Sequence, residues 1–108
     1  MAYSNAVAGM LLSKAYGLSV DEPLEEEGGA DETGAVDVHA IDMGGATQSG
    51  SKLILRDGGS AGPVRLSVSG STGYQFVQIS PPIRLEAVPT VQTAGANFAD
   101  ARIMYTRV

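Results

Sequence analysis

From Ala35 onward the apolar residues fall at every second position. "AVDVHAIDM" (35–43) sets Val36, Val38 and Ala40 on one face and Asp37, His39 and Ile41 on the other. The same alternation continues through "KLILR" (52–56), "PVRLSVS" (63–69), "YQFVQIS" (74–80), "IRLEAV" (83–88) and "RIMYTRV" (102–108). Between these runs stand the turn sequences "MGGATQSGS", "DGGSAG", "GSTG", "SPP" and "TAGANFAD". Period-two alternation bounded by Gly, Pro, Ser and Asp marks half-buried strands. Strands recurring roughly every 8 to 12 residues predict a mainly β fold, a small antiparallel β-sandwich or barrel. The clearest run is Val64, Leu66 and Val68 facing in, with Arg65, Ser67 and Ser69 facing out.

The N-terminal segment changes period. Ser4 suits an N-cap, good helix formers run from Ala6 to Ala15, and Gly17 stands where a left-handed C-cap residue is expected. Val7, Met10 and Leu11, with the stem of Lys14, make a stripe at helical spacing that Ala8, Leu12 and Ala15 widen. A helix of about three turns is marginal alone in water, so it must pack on something. Two destinations stay open: the chain's own sheet, or a neighbouring molecule.

"DEPLEEEGGADETG" (21–34) carries seven acids, three glycines, no basic residue and one large apolar side chain, Leu24. Such a composition buries too little apolar area to offset its chain entropy, so the expectation is an irregular, solvated tether. The division that follows is an N-terminal helix and acidic arm over 1–34 and a β domain over 35–108. That β region holds 23 large apolar residues in 74, without Trp or Cys. A core of this size without staples is near the lower limit for independent stability, which favours a homo-oligomer, a trimer first, or assembly on a larger surface.

Charge sharpens the division. Residues 1–42 carry nine acids and one base, Lys14, whereas residues 43–108 carry three acids and six bases, within a total of −5. The six bases are scattered singly along strands, without the basic face and stacking aromatics that nucleic acid requires. No stretch approaches the about 18 to 20 apolar residues of a membrane span. The N-terminal segment lacks a basic leader region, and Gly9 and Lys14 break its apolar run, so neither a signal peptide nor a membrane anchor is expected.

Three short matches carry candidate chemistry. "GGSAG" (58–62) places Ser60 where a hydrolase nucleophile would sit, but a strand and a helix must flank such an elbow, and here Pro63 and a β run follow. "GATQSGSK" (45–52) nearly fits a phosphate loop, with Lys52 one place late and Ser51 in the lysine's position. "DVHAID" puts Asp37 and the single histidine, His39, on one side of a strand, two potential ligands where a catalytic zinc takes three and a water. The expectation is therefore no enzyme, no cofactor and no metal.

An apolar helical arm, an acidic Gly-rich tether and a small Gly/Ser/Thr-rich β domain together resemble the decoration or cement proteins of tailed-bacteriophage capsids. The resemblance covers the whole chain and rests on architecture and composition. It implies a virion structural protein, assembled in the host cytoplasm, that bridges and stabilises neighbouring capsid subunits. Its partners would be the major capsid protein or other virion subunits. On this reading Val7, Met10, Leu11 and Leu12 would supply apolar adhesion, and Glu25, Glu26 and Glu27 would meet basic patches on the partner. Phage neck and tail proteins are built from similar domains. The reading from a different class is a free-standing adhesion module directed at carbohydrate, for which the six aromatics are Tyr3, Tyr16, Tyr74, Phe76, Phe98 and Tyr105; of these, Phe76 and Tyr105 are expected in the core.

Overall fold

Among the described residues the chain forms eight strands: β1 (Leu11–Leu12), β2 (Asp21–Pro23), β3 (Val36–Thr47), β4 (Lys52–Arg56), β5 (Val64–Ser69), β6 (Gly73–Leu85), β7 (Thr90–Ala94) and β8 (Asp100–Arg107). The computed structural model describes residues 9–17, 19–47, 51–70, 73–94 and 100–108. Two four-stranded antiparallel sheets pack together, one in the order β1-β8-β3-β6 and the other β2-β7-β4-β5. The arrangement is an open pair of sheets and not a closed barrel. Successive strands change sheet at every step except the β4–β5 hairpin. Nearly every pairing therefore joins residues far apart in sequence.

Both sheets supply the core between them: Val36, Val38, Ile41, Met43, Ala101, Ile103 and Tyr105 from one, Leu53, Leu55, Val68 and Val91 from the other, with Tyr16, Leu24 and Leu85. On β3 the core residues run Val36, Val38, Ile41, Met43, with Ala40 also buried, so the alternation slips by one after Val38. The cause is a bulge. Val38 lies opposite Tyr105 and Ala40 opposite Met104, leaving His39 as the extra residue.

Four expectations are corrected. The helix proposed over Ala6–Ala15 is absent from its described part: Leu11 and Leu12 pair with Tyr105 and Met104, and Gly9 takes the left-handed conformation (φ 79°). Ser13 and Tyr16 extend this contact, with Ser13 N–H donating to the Ile103 carbonyl at 2.9 Å and Tyr16 N–H to that of Ala101 at 2.7 Å. An isolated helix of this length gains little, whereas the β8 edge offers backbone partners and an apolar face, so the ladder overrides propensity. The N-terminal side of that helix, including Ser4 and Val7, lies outside the described residues.

The second correction concerns the tether. Asp21–Pro23 pairs with β7, and Leu24 is buried at 1% exposure. Third, "SPP" is no turn between two strands; β6 runs through it as a single strand, with three extra residues where Val38 faces Ile83 and Ala40 faces Gln78. Fourth, Phe76 is 42% exposed, whereas Tyr105 is in the core as expected. β7, in "PTVQTA", was not among the expected strands.

Candidate functional site

Asp37, His39 and Ser60 are taken up by the fold's own hydrogen bonds, and residues 48–50 of "GATQSGSK" lie outside the described residues. Asp37 receives a forked pair from Arg84, Nε at 2.6 Å and Nη2 at 3.2 Å, and this guanidinium holds its carboxyl below the ordinary range. His39, presented by the bulge, places Nε2 3.0 Å from Thr106 Oγ1. Neither is left facing a second imidazole or a third ligand. Among the described residues no group of three or more His, Cys, Asp or Glu could hold a metal ion.

The "GGSAG" segment caps the β4–β5 hairpin. Asp57 Oδ1 accepts the N–H groups of Glu86 and Ala87, both at 3.0 Å, and these two donors lower its pKa, Ala87 foremost. Gly58 and Gly59 have φ of 94° and 96°. A Cβ on Gly62 would lie 2.0 Å from the Asp57 carbonyl oxygen, so the loop closes only over glycine there. Ser60 is exposed and donates to Asp21 Oδ1 at 2.7 Å; Gln92 Nε2 reaches the same oxygen at 3.3 Å, and Arg56 Nε donates to Gln92 Oε1 at 2.8 Å. Ser60 thus has a carboxylate, and not an imidazole, as its hydrogen-bond partner. In "GATQSGSK", Ser51 is buried and Lys52 begins β4, so no helix N-terminus faces a phosphate there.

The acidic segment holds the densest polar cluster. Glu32, at 6% exposure, accepts from Tyr105 Oη at 2.8 Å and from Arg107 Nη2 at 2.7 Å, and Arg107 chiefly keeps it ionised by lowering its pKa. Burial, followed by that carboxylate, pushes the Tyr105 hydroxyl strongly up. Arg107 also reaches Glu26 at 2.9 Å. Arg102 pairs with Glu27 at 2.5 Å, and Lys14 with Glu25 at 3.3 Å and with Glu22. The Tyr16 hydroxyl, raised to about 12 by burial, donates to the Pro23 carbonyl at 3.2 Å and accepts from Glu25 N–H at 2.9 Å. Thr93 Oγ1 donates to the Gly17 carbonyl at 2.7 Å and accepts from Val20 N–H at 2.9 Å.

The residues expected to bind a partner are thereby placed. Leu11 packs against the core, Met10 and Leu12 are half-buried, and Glu25, Glu26 and Glu27 each face a cation of the same chain. Val7 lies outside the described residues. Sequence reasoning missed Glu32 and Tyr16. The available signal was the opposed charge of the two halves, which predicts attraction between them as readily as attraction to a partner.

What the fold and its polar clusters define is a small two-sheet antiparallel β protein in which Arg102 and Arg107 of the last strand pair with Glu27, Glu26 and Glu32 of the acidic segment. No protein-family model matches the chain, and comparisons with curated proteins and with solved structures return no match either.

Proposed function

We propose that the chain is a non-catalytic structural module of a virion, of the capsid decoration or cement class that its sequence resembles, and that it adheres to neighbouring protein subunits through its β body. One observation carries this reading. Ser60 and His39 of the candidate catalytic motifs are engaged in internal hydrogen bonds, while both sheets present edge strands and Val64 and Phe76 are exposed apolar side chains. Edges and apolar side chains suit a protein surface, which supplies backbone partners and excludes water. With Glu25, Glu26 and Glu27 paired internally, adhesion rests less on acids reaching basic patches than on these edges.

The test is co-sedimentation of the full chain with shells assembled from the major capsid protein alone. Saturable retention is the expected result, weakened by Phe76→Ala. A chain that stays in the supernatant at micromolar concentration sinks the virion reading. Specific binding of the monomer to a glycan array would replace it with the carbohydrate-directed one.

A further inference from the structure

The hairpin loop between β4 and β5 opens on "DGG" (57–59). Of the six aspartates only Asp57 precedes a glycine; the others precede Glu, Val, Met or Ala. That difference has a chemical consequence. A backbone nitrogen can attack the side-chain carboxyl of the aspartate before it, and a side chain on the attacking residue obstructs the approach, whereas glycine has none. At this site the Gly58 nitrogen would bond to Asp57 Cγ, and one carboxyl oxygen would leave as water, taking the amide proton and the proton of the neutral acid. The product is a five-membered imide. Water then opens it at either carbonyl: one opening restores aspartate, and the other leaves an isoaspartate, whose main chain runs through Cβ and Cγ.

In the folded chain both reacting groups are engaged. Gly58 N–H donates to the Ala87 carbonyl at 2.8 Å, and an imide nitrogen has no hydrogen left to donate. Asp57 Oδ1 accepts the N–H groups of Glu86 and Ala87, both at 3.0 Å. These donors, Ala87 foremost, favour the ionised carboxylate, whereas loss of water needs the neutral acid. Gly59 N–H donates to the Val88 carbonyl at 3.2 Å. Residues 86–88 therefore grip the electrophile, the nucleophile and the residue after it.

We propose that Asp57–Gly58 is a latent isoaspartate site, kept closed in the folded chain by residues 86–88 and opened when the hairpin loop parts from them. Conversion works against reclosure. Isoaspartate turns the Asp57 side-chain carboxyl into a main-chain amide, which removes the carboxylate that accepts from Glu86 and Ala87. It also turns the Asp57 carbonyl into a free carboxylate, at a place where a Cβ on Gly62 would lie only 2.0 Å from the carbonyl oxygen.

This site does not depend on the virion reading. The test is incubation of the full chain at about pH 5, above the roughly 3.9 of an ordinary aspartate, in buffer and in unfolding urea, followed by peptide mapping for isoaspartate. Conversion at Asp57 should be at least about tenfold slower in buffer, and at urea concentrations below unfolding it should rise in step with exchange of the Gly58 amide proton. Asp57→Asn keeps an Oδ1 acceptor and reaches the same imide with ammonia leaving in place of water. It should be protected in the same way, with the gain of negative charge confined to the unfolded sample. The isolated isoaspartate form should unfold at lower urea than the unconverted chain. Equal rates in buffer and in urea, conversion that ignores Gly58 exchange, an unprotected Asp57→Asn variant, or an isoaspartate form as stable as its parent would each overturn the proposal.

Discussion

The acidic segment 21–34 and strand β5 invert each other's sequence patterns. The first has seven acids and one large apolar residue, and it buries both Leu24 and the Glu32 carboxylate. The second has the cleanest alternation in the chain, and its Val64 is 47% exposed, with Leu66 only half-buried. Alternation tells which face of a strand turns inward. How deep that face lies depends on what sits beside it, and β5 has a neighbour on one side only. The acidic segment, in contrast, is drawn into the seam by groups it meets from far along the chain: Arg107, Arg102 and Tyr105 from β8, and the Pro89 carbonyl, which accepts Leu24 N–H at 2.8 Å.

The contrast is broken most severely at Leu24. Leu24→Ala removes a fully buried side chain and should cost about 2 to 5 kcal/mol in urea unfolding, whereas Val64→Ala should stay within about 0.5 kcal/mol. Equal effects would mean that the acidic segment is the loose element its composition suggests. Next comes Glu32→Gln. It weakens charge-assisted hydrogen bonds to Arg107 and Tyr105, and a loss of about 1.5 to 3 kcal/mol is expected, set against less than about 1 kcal/mol for Glu27→Gln, whose carboxylate is exposed.

Titration sharpens the same point. Glu32, Asp37 and Asp57 all have folded pKa values below their ordinary ones, from Arg107, Arg84 and the Ala87 N–H respectively. The unfolded chain then binds protons first on acidification. Their contribution is fully present above about pH 5 and is lost as pH falls through about 4 and on through the folded values. Denaturation midpoints measured against pH should show that slope, and Glu32→Gln should flatten it. At the alkaline end the sign reverses. Tyr16 is raised to about 12 by burial, so its contribution is present below about pH 10 and lost as pH climbs through the folded value. Tyr16→Phe should remove that part of the alkaline slope. The smallest effect is ionic: about 1 M salt should shift stability only slightly through Glu27–Arg102 and Asp37–Arg84, because exposed pairs contribute about 0 to 1 kcal/mol each.

Of the candidate site, the sequence showed only that His39, Asp37 and Ser60 stand in short motifs without a complete set of companions at the right spacing. Their actual partners were not legible. Thr106, Arg84 and Asp21 lie 67, 47 and 39 positions away, and no local pattern marks them.

By itself the sequence determined the mainly β class, five of the strand positions, and the charge opposition between its two halves, because alternation and composition are properties of contiguous residues. Only the tertiary structure decided that Leu11 and Leu12 pair as a strand and not as part of a helix, that 21–34 is a bound strap and not a tether, and that "YQFVQIS" and "IRLEAV" are one strand. Each of these turns on a hydrogen-bond ladder or an ion pair with a distant strand. Local propensity over a few residues is worth tenths of a kcal/mol each, and it yields wherever a neighbouring edge supplies backbone partners, buried apolar area and opposite charge together.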